Sequence, residues 1–265
     1  MNWILDPLLF LRANAAFILK LTWQELGQAM SGSLLGGFWI VLQPLVTFAA
    51  YIILFSVLLR VQINGLTEGQ FVSYILTGLA SGIALTLATT SGAASLVSNA
   101  HLLKGTLIDP QIIPIKSALL AVPTALVGFS LVVLFGFIFG FLGIFGFLIL
   151  IYLLFFIVLV IGLSWLLSTV CLLLRDLIQV IPAVLTPMML TSPLAFTLDN
   201  VPSYLEPFLY MNPYTYIVVI PQQILVLNRV PDMSLVLPFI SVAIISYYAG
   251  YFSFRRATHV LFDNV

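Results

Sequence analysis

Six stretches of this sequence carry no Lys, Arg, Asp or Glu: residues 34–59, 71–97, 117–140, 143–174, 177–198 and 236–254. A helix needs about 20 apolar residues to cross the hydrocarbon core of a bilayer, and longer runs are accommodated by tilting. In lipid every backbone N–H and C=O must find its partner inside the protein, so runs of this length read as transmembrane helices. The composition agrees: of 265 residues 62% are hydrophobic and 7% charged, which excludes a soluble globular domain with its usual quarter of charged residues. The sequence therefore predicts an all-α integral membrane protein with six transmembrane helices. It forms one domain over residues 1–265, with no internal repeat or low-complexity linker.

Six crossings place both termini on one side. With that side cytoplasmic, Arg12, Lys20, Lys104, Lys116, Arg175, Arg255 and Arg256 fall inside, and only Arg60 and Arg229 fall outside. The reverse orientation violates the positive-inside rule at seven positions, so the expectation is N-in and C-in. The N-terminus does not read as a signal peptide, because Asp6, Pro7 and Arg12 interrupt its apolar stretch, and the chain is expected to be unprocessed. Residues 1–33 instead suggest a helix lying in the membrane interface, with Leu19, Trp23, Leu26 and Met30 at helical spacing and Lys20, Gln24 and Gln28 on another stripe.

Within the spans, Gly78 and Gly82, then Ala80, Ala84, Ala88 and Gly92, recur at four-residue intervals, a pattern that permits close helix approach in lipid. Pro182, Pro187 and Pro193 each remove a backbone donor and predict kinks in the fifth span. Phe129 to Phe156 reads as lipid-facing or hairpin-packing surface. Residues 199–235 are too broken to be a plain span: Tyr204, Phe208, Tyr210, Tyr214 and Tyr216 stand among Pro202, Pro207, Pro213 and Pro221. Two short helices interrupted at Asn212-Pro213 are expected there.

The chemistry is as informative by what it lacks. His101 and His259 have no metal-ligand spacing, and there is no HExxH, no GxSxG and no pair of intramembrane carboxylates. No catalytic, cofactor-binding or metal site is assigned. No span has an interior ionisable residue, which argues against ion-coupled transport. No GxxxxGK[ST] sequence is present, so any ATP that energises transport is bound by another polypeptide. With nine basic and nine acidic residues the chain has no net charge to gather nucleic acid, and Cys171 alone cannot form an internal disulfide.

Gly32-Ser33-Leu34-Leu35-Gly36, Trp39 and Pro44 resemble the start of the first span in type-2 ABC exporter permeases. Ser95-Leu96, Asn99, Leu102-Leu103-Lys104 and Pro114, then Arg175-Asp176, Ser192-Pro193, Val201-Pro202 and Asn212-Pro213, follow in the order seen in the polysaccharide-exporting branch, which handles O-antigen, teichoic acid and capsule glycans. The resemblance implies a multi-pass homodimer in the cytoplasmic membrane that exports a lipid-linked polysaccharide. Two copies of a separate ABC ATPase, holding ATP and Mg, would drive it. It implies that residues 98–116 carry the ATPase-coupling connection, through Asn99, Leu102, Leu103, Lys104, Pro110 and Pro114.

By the same analogy Arg175 and Asp176 mark the cytoplasmic entrance, pairing with each other or with the N-terminal helix. Residues 199–235 become an outer gate of short re-entrant helices, and Tyr51, Phe196, Tyr204, Phe208, Tyr210, Asn212, Pro213, Tyr214 and Tyr216 become candidates for a glycan path. For the gate aromatics an interfacial belt is the competing reading. The sequence departs from the family in three places: Gly27 to Ser31 lacks basic residues, Ile108-Asp109-Pro110 replaces Phe-Pro-Arg, and Gln222 stands where arginine is common. A drug, peptide or lipid as cargo, or an ATP-independent scaffold or flippase, are the alternatives.

Overall fold

The computed structural model describes residues 5–29, 32–99, 109–198 and 201–262. All regular structure among them is helical: α1 (Asp6–Ala29), α2 (Trp39–Ile52), α3 (Glu68–Ser98), α4 (Ile112–Leu119), α5 (Val122–Ile138), α6 (Leu148–Leu173), α7 (Leu177–Leu190), α8 (Glu206–Met211), α9 (Pro213–Leu225) and α10 (Met233–Phe262). Single turns extend some of these, so that Gly36–Leu58, Glu68–Ser98, Ile112–Ile138, Ile144–Leu173 and Met233–Ala257 are five helical stretches long and apolar enough to cross a membrane. The chain is a multi-pass membrane protein.

The sixth charge-free run behaves differently. Its helix, α7, has 14 residues, about 21 Å at 1.5 Å per residue, and residues 191–197 continue without regular structure. The cause is local: Pro193 lacks an N–H and excludes Ser192 from the helical region, so Ser192 turns its N–H and hydroxyl back onto the Met189 carbonyl at 3.2 and 2.6 Å. The third helical stretch, conversely, starts at Ile112, ahead of the expected residue 117. Lys116 set that expected boundary, yet it sits within α4 and is 8% exposed, because it is paired.

Helix α3 is the centre of the bundle and touches α2, α4, α5, α6, α7 and α9. Its small residues do what their spacing predicts. Gly78 faces Leu194, Val218 and Gln222, Gly82 faces Met189, Gly92 faces Ser164, and Ala80 meets Gly128 of α5. α6 and α10 cross as closely, at Gly162 and Gly250, where the two backbones touch. The aromatics of residues 129–156 divide as expected of packing and lipid-facing positions. Phe129 and Phe156 are buried around Tyr152, while Phe137, Phe139 and Phe147 are exposed.

α1 lies along α4 and α10. Its contact face is Pro7, Leu11, Ile18, Thr22 and Glu25, with Tyr247 donating to the Pro7 carbonyl at 2.9 Å. Leu19 and Trp23 are left exposed on the opposite stripe; Met30 lies outside the described residues. The turn into α2 explains the Gly-Ser motif. Gly32 and Gly36 adopt φ of 82° and 50°, conformations that favour glycine, and the Ser33 hydroxyl accepts from the Trp39 indole at 2.9 Å.

Candidate functional site

The bundle has two ends. One gathers residues 59–67, 139–147, 194–198 and 226–232, shown by Phe139 against Gly69, the Asn228 side chain accepting from the Phe145 N–H, and a shared cavity joining residues 63–66, 197–198 and 229. The other holds Asn99, residues 109–116, Arg175 and the α1 contacts. Among the described basic residues are Arg60 and Arg229 at the first end, and Lys116, Arg175 and Arg255 at the second.

Contacts along α3 measure depth from the first end. Taking Glu68 as zero, Tyr74 is about 9 Å in, Gly78 about 15 Å, Gly82 about 21 Å and Thr86 about 27 Å. α7 ends with Met189 beside Gly82, and the chain then climbs, Leu194 against Gly78 and the Phe196 carbonyl accepting from Tyr74 at 3.3 Å. After α8 it is deep again. Tyr214, at the start of α9, is buried and shares a 2.6 Å hydrogen bond with Thr86. α9 then rises until Gln222 reaches the Tyr74 carbonyl.

Asn212 and Gln222 anchor this passage. Asn212 caps α9 by accepting from the Tyr214 N–H at 3.0 Å, and its amide donates to the Met188 carbonyl at 2.7 Å and the Thr191 hydroxyl at 3.3 Å. One side chain thus joins the start of α9 to the end of α7, while Pro213 fills the first helical position where no N–H is needed. Gln222 is fully buried and donates to the carbonyls of Tyr74 and Pro193 at 3.2 and 3.1 Å. Where arginine is expected by family analogy, a neutral amide serves the non-helical chain after α7 without burying a charge. Pro221 cannot donate to the Ile217 carbonyl four residues back, and Tyr152 of α6 does so instead at 2.9 Å.

The candidate path residues do not form one surface. Tyr204, Phe208 and Tyr210 are exposed, Tyr216 is half-buried with its hydroxyl on the Tyr210 carbonyl at 2.6 Å, and Tyr214 is in the core. Phe196 is half-buried beside Tyr74, and Tyr51 is stacked on Phe55 with ring centres 6.5 Å apart. α2 and α7 leave most of their surface open, including Val41, Val46, Val180 and Val184.

At the second end, Lys116 donates to Glu25 of α1 at 2.6 Å and to Asn99 at 3.4 Å; the side chains of Lys116 and Glu25 are 10% and 28% exposed. Thr22 adds a 3.4 Å bond to the Lys116 carbonyl. Asn99 also caps α3 through the Ser95 carbonyl at 2.8 Å, Pro110 shapes the turn into α4, and Pro114 is buried in α4. Leu102, Leu103 and Lys104 lie outside the described residues. Arg175 and Asp176 are exposed, and among the described residues they pair neither with each other nor with α1, in contrast to the expectation. The α1 carboxylate that does find a partly buried cation at this end is Glu25. Sequence gave no pairing signal for it, since Glu25 and Lys116 are 91 positions apart.

The family described as ABC-2 type transporter matches residues 17–226. Two relatives, each an O-antigen export system permease protein RfbA from Klebsiella pneumoniae, are 24% and 22% identical over 198 residues, covering 74% of this chain and 74% of each relative.

Proposed function

The chain belongs to the ABC-2 type transporter family, and from that premise we propose that it is the membrane-spanning subunit of an ATP-driven exporter of lipid-linked polysaccharide. The likeness to two O-antigen export permeases over three quarters of the chain carries the choice of cargo. The subunit works as a homodimer in the cytoplasmic membrane, with both termini inside, and two ABC ATPase subunits bind the ATP and Mg that it cannot hold itself. Six crossings result when α7 and the non-helical residues 191–197 together count as one.

In this reading Asn99, Leu102, Leu103, Lys104 and Pro110 form the surface that receives the ATPase, the buried Pro114 shapes its exit into the bundle, and Arg175 and Asp176 flank the cytoplasmic entrance. The open faces of α2 and α7 line the path between two copies, with Tyr51 and Phe196 along it. α8 and α9 dip into the membrane as the outer gate, where exposed Tyr204, Phe208 and Tyr210 meet the glycan, and Asn212, Pro213, Tyr214 and Tyr216 hold the hairpin in shape. The depth of Tyr214 beside Thr86 supports that role.

The test is depletion of the protein in its own cells, with lipid-linked glycan assayed on each side of the cytoplasmic membrane. Accumulation inside with loss of surface polymer is expected. Normal pools on both sides under efficient depletion refute the polysaccharide reading, and an ATPase that fails to copurify refutes the ATP-driven one.

A further inference from the structure

Two cavities, of about 730 and 410 Å³, adjoin at the end that carries Arg60 and Arg229, sharing the loop Ile63, Asn64, Gly65 and Leu66. Both fall in the size range of small-molecule sites, and their walls are unusually polar for a chain that is 62% hydrophobic. The smaller one brings together Asn64, Thr197, Tyr210, Gln223, Arg229 and Asp232, drawn from five separate segments.

Part of this wall is held in position before any ligand arrives. Gln223 donates to one Asp232 oxygen at 2.6 Å and accepts from the Asp232 N–H at 3.0 Å, and Arg229 stands 3.6 Å from the same carboxylate oxygen. The Arg229 N–H is in turn bound to the Gln223 carbonyl at 3.0 Å. The bordering loops are also strained. Among the described residues the non-glycine positions with positive φ are Arg60, at 49°, in the larger cavity, and Asn228, at 46°, beside Arg229. Backbone held in this way gathers at sites where side-chain placement matters.

We infer that the smaller cavity is a binding site for an uncharged sugar unit of the exported glycan. A sugar ring presents hydroxyls that both donate and accept. The wall answers with a carboxylate, two amides, a guanidinium, a threonine hydroxyl and a phenol, a set that covers both roles. Arg229 and Asp232 neutralise each other, so the site has no net charge with which to hold an anion, and the fixed carboxylate repels phosphate. Tyr210 belongs to α8, so an occupied cavity also bears on the gate helix. This inference rests on the polysaccharide reading and on these loops facing outward.

The test uses the permease copurified with its ATPase in phosphatidylcholine nanodiscs, which offer no polyhydroxylated headgroup. The probe is oligosaccharide released by mild acid from the surface polymer of the same cells, followed by saturation-transfer NMR. The wild type is expected to bind. Asn64→Ala, in an exposed loop, and Asp232→Asn are expected to bind about tenfold more weakly, the loss of roughly one good hydrogen bond, with unfolding temperature unchanged in Asn64→Ala. Absence of binding to wild type, or wild-type affinity in either variant, overturns the site. Competition by inorganic phosphate overturns the uncharged class. Because depletion reports on export independently, a failed site with a positive depletion result leaves the export reading standing.

Discussion

Removing one member of the Lys116–Glu25 pair should release α1 from the bundle, and removing both should not. Breaking a fully buried ion pair from one side costs about 3 to 5 kcal/mol, whereas replacing both partners by apolar residues is often neutral. Lys116 is 10% exposed and keeps only a 3.4 Å bond to Asn99 once Glu25 is gone, so Glu25→Leu falls near the lower bound, about 3 kcal/mol. Glu25 is 28% exposed and regains water when Lys116 is gone, so Lys116→Met costs less, about 2 kcal/mol. If α1 opens locally, these correspond to increases of about 150-fold and 30-fold in its detached population. Ile18 is 3% exposed on the buried face of α1, so thiol labelling of Ile18→Cys, in a Cys171→Ser background, reads that population directly. The double variant Glu25→Leu with Lys116→Met should label within a few-fold of the starting protein. If the double variant labels as fast as either single one, or neither single one changes the rate, the pair does not hold α1.

Tyr152→Phe should destabilise the protein by about 1 kcal/mol by leaving the Ile217 carbonyl without its donor. In a Pro221→Ala background, where a helical N–H can reach that carbonyl, the same change should cost clearly less; thermal unfolding of the four proteins in one detergent measures the difference. Gly162→Ala should lower stability by about 1 to 3 kcal/mol, because its Cβ would meet the Ser246–Tyr247 backbone. Gly27→Ala, with nothing within 4 Å, should be neutral or raise stability by about 0.5 to 1 kcal/mol. Asn212→Ala should cost about 2 kcal/mol, combining the lost cap with an unpaired Met188 carbonyl, and Asn212→Ser should recover part of it; equal loss in the two refutes the capping role.

The long spans were readable because lipid leaves one solution to backbone pairing, and the glycine ladder of α3 was readable because close approach has a four-residue period. What failed to show was pairing at a distance. Lys116 looked like a boundary, since a cation at the end of an apolar run normally snorkels to water, and only the fold brings Glu25 to it. Pro193 was legible as a kink, but its consequence, a chain that stays non-helical to Thr197, depended on Gln222 arriving from α9 to take up the Pro193 carbonyl. The aromatics of residues 204–216 formed a cluster in sequence, yet the turn at Asn212 sends Tyr214 inward and leaves Tyr204 and Phe208 outside, a division no composition could contain.

These details bear on how force could cross the molecule. α7 begins one residue after Asp176, at the end nearest residues 109–116, and among its 14 residues only Met189 is buried. A helix with so few buried contacts shifts at small cost, and Pro182 and Pro187 weaken its internal ladder further. Its far end is not free, however. The Met188 carbonyl and the Thr191 hydroxyl are held by Asn212, whose other bond fixes the first turn of α9. A displacement of α7 along its axis therefore loads α9 through Asn212, and through Gln222 on the Pro193 carbonyl just beyond the helix end, while the glycine face of α3, smooth at Gly78 and Gly82, offers Met189 and Val218 little to catch on. Those contacts tie the end of α7 to the start of α9, with Asn212 as the joint between them.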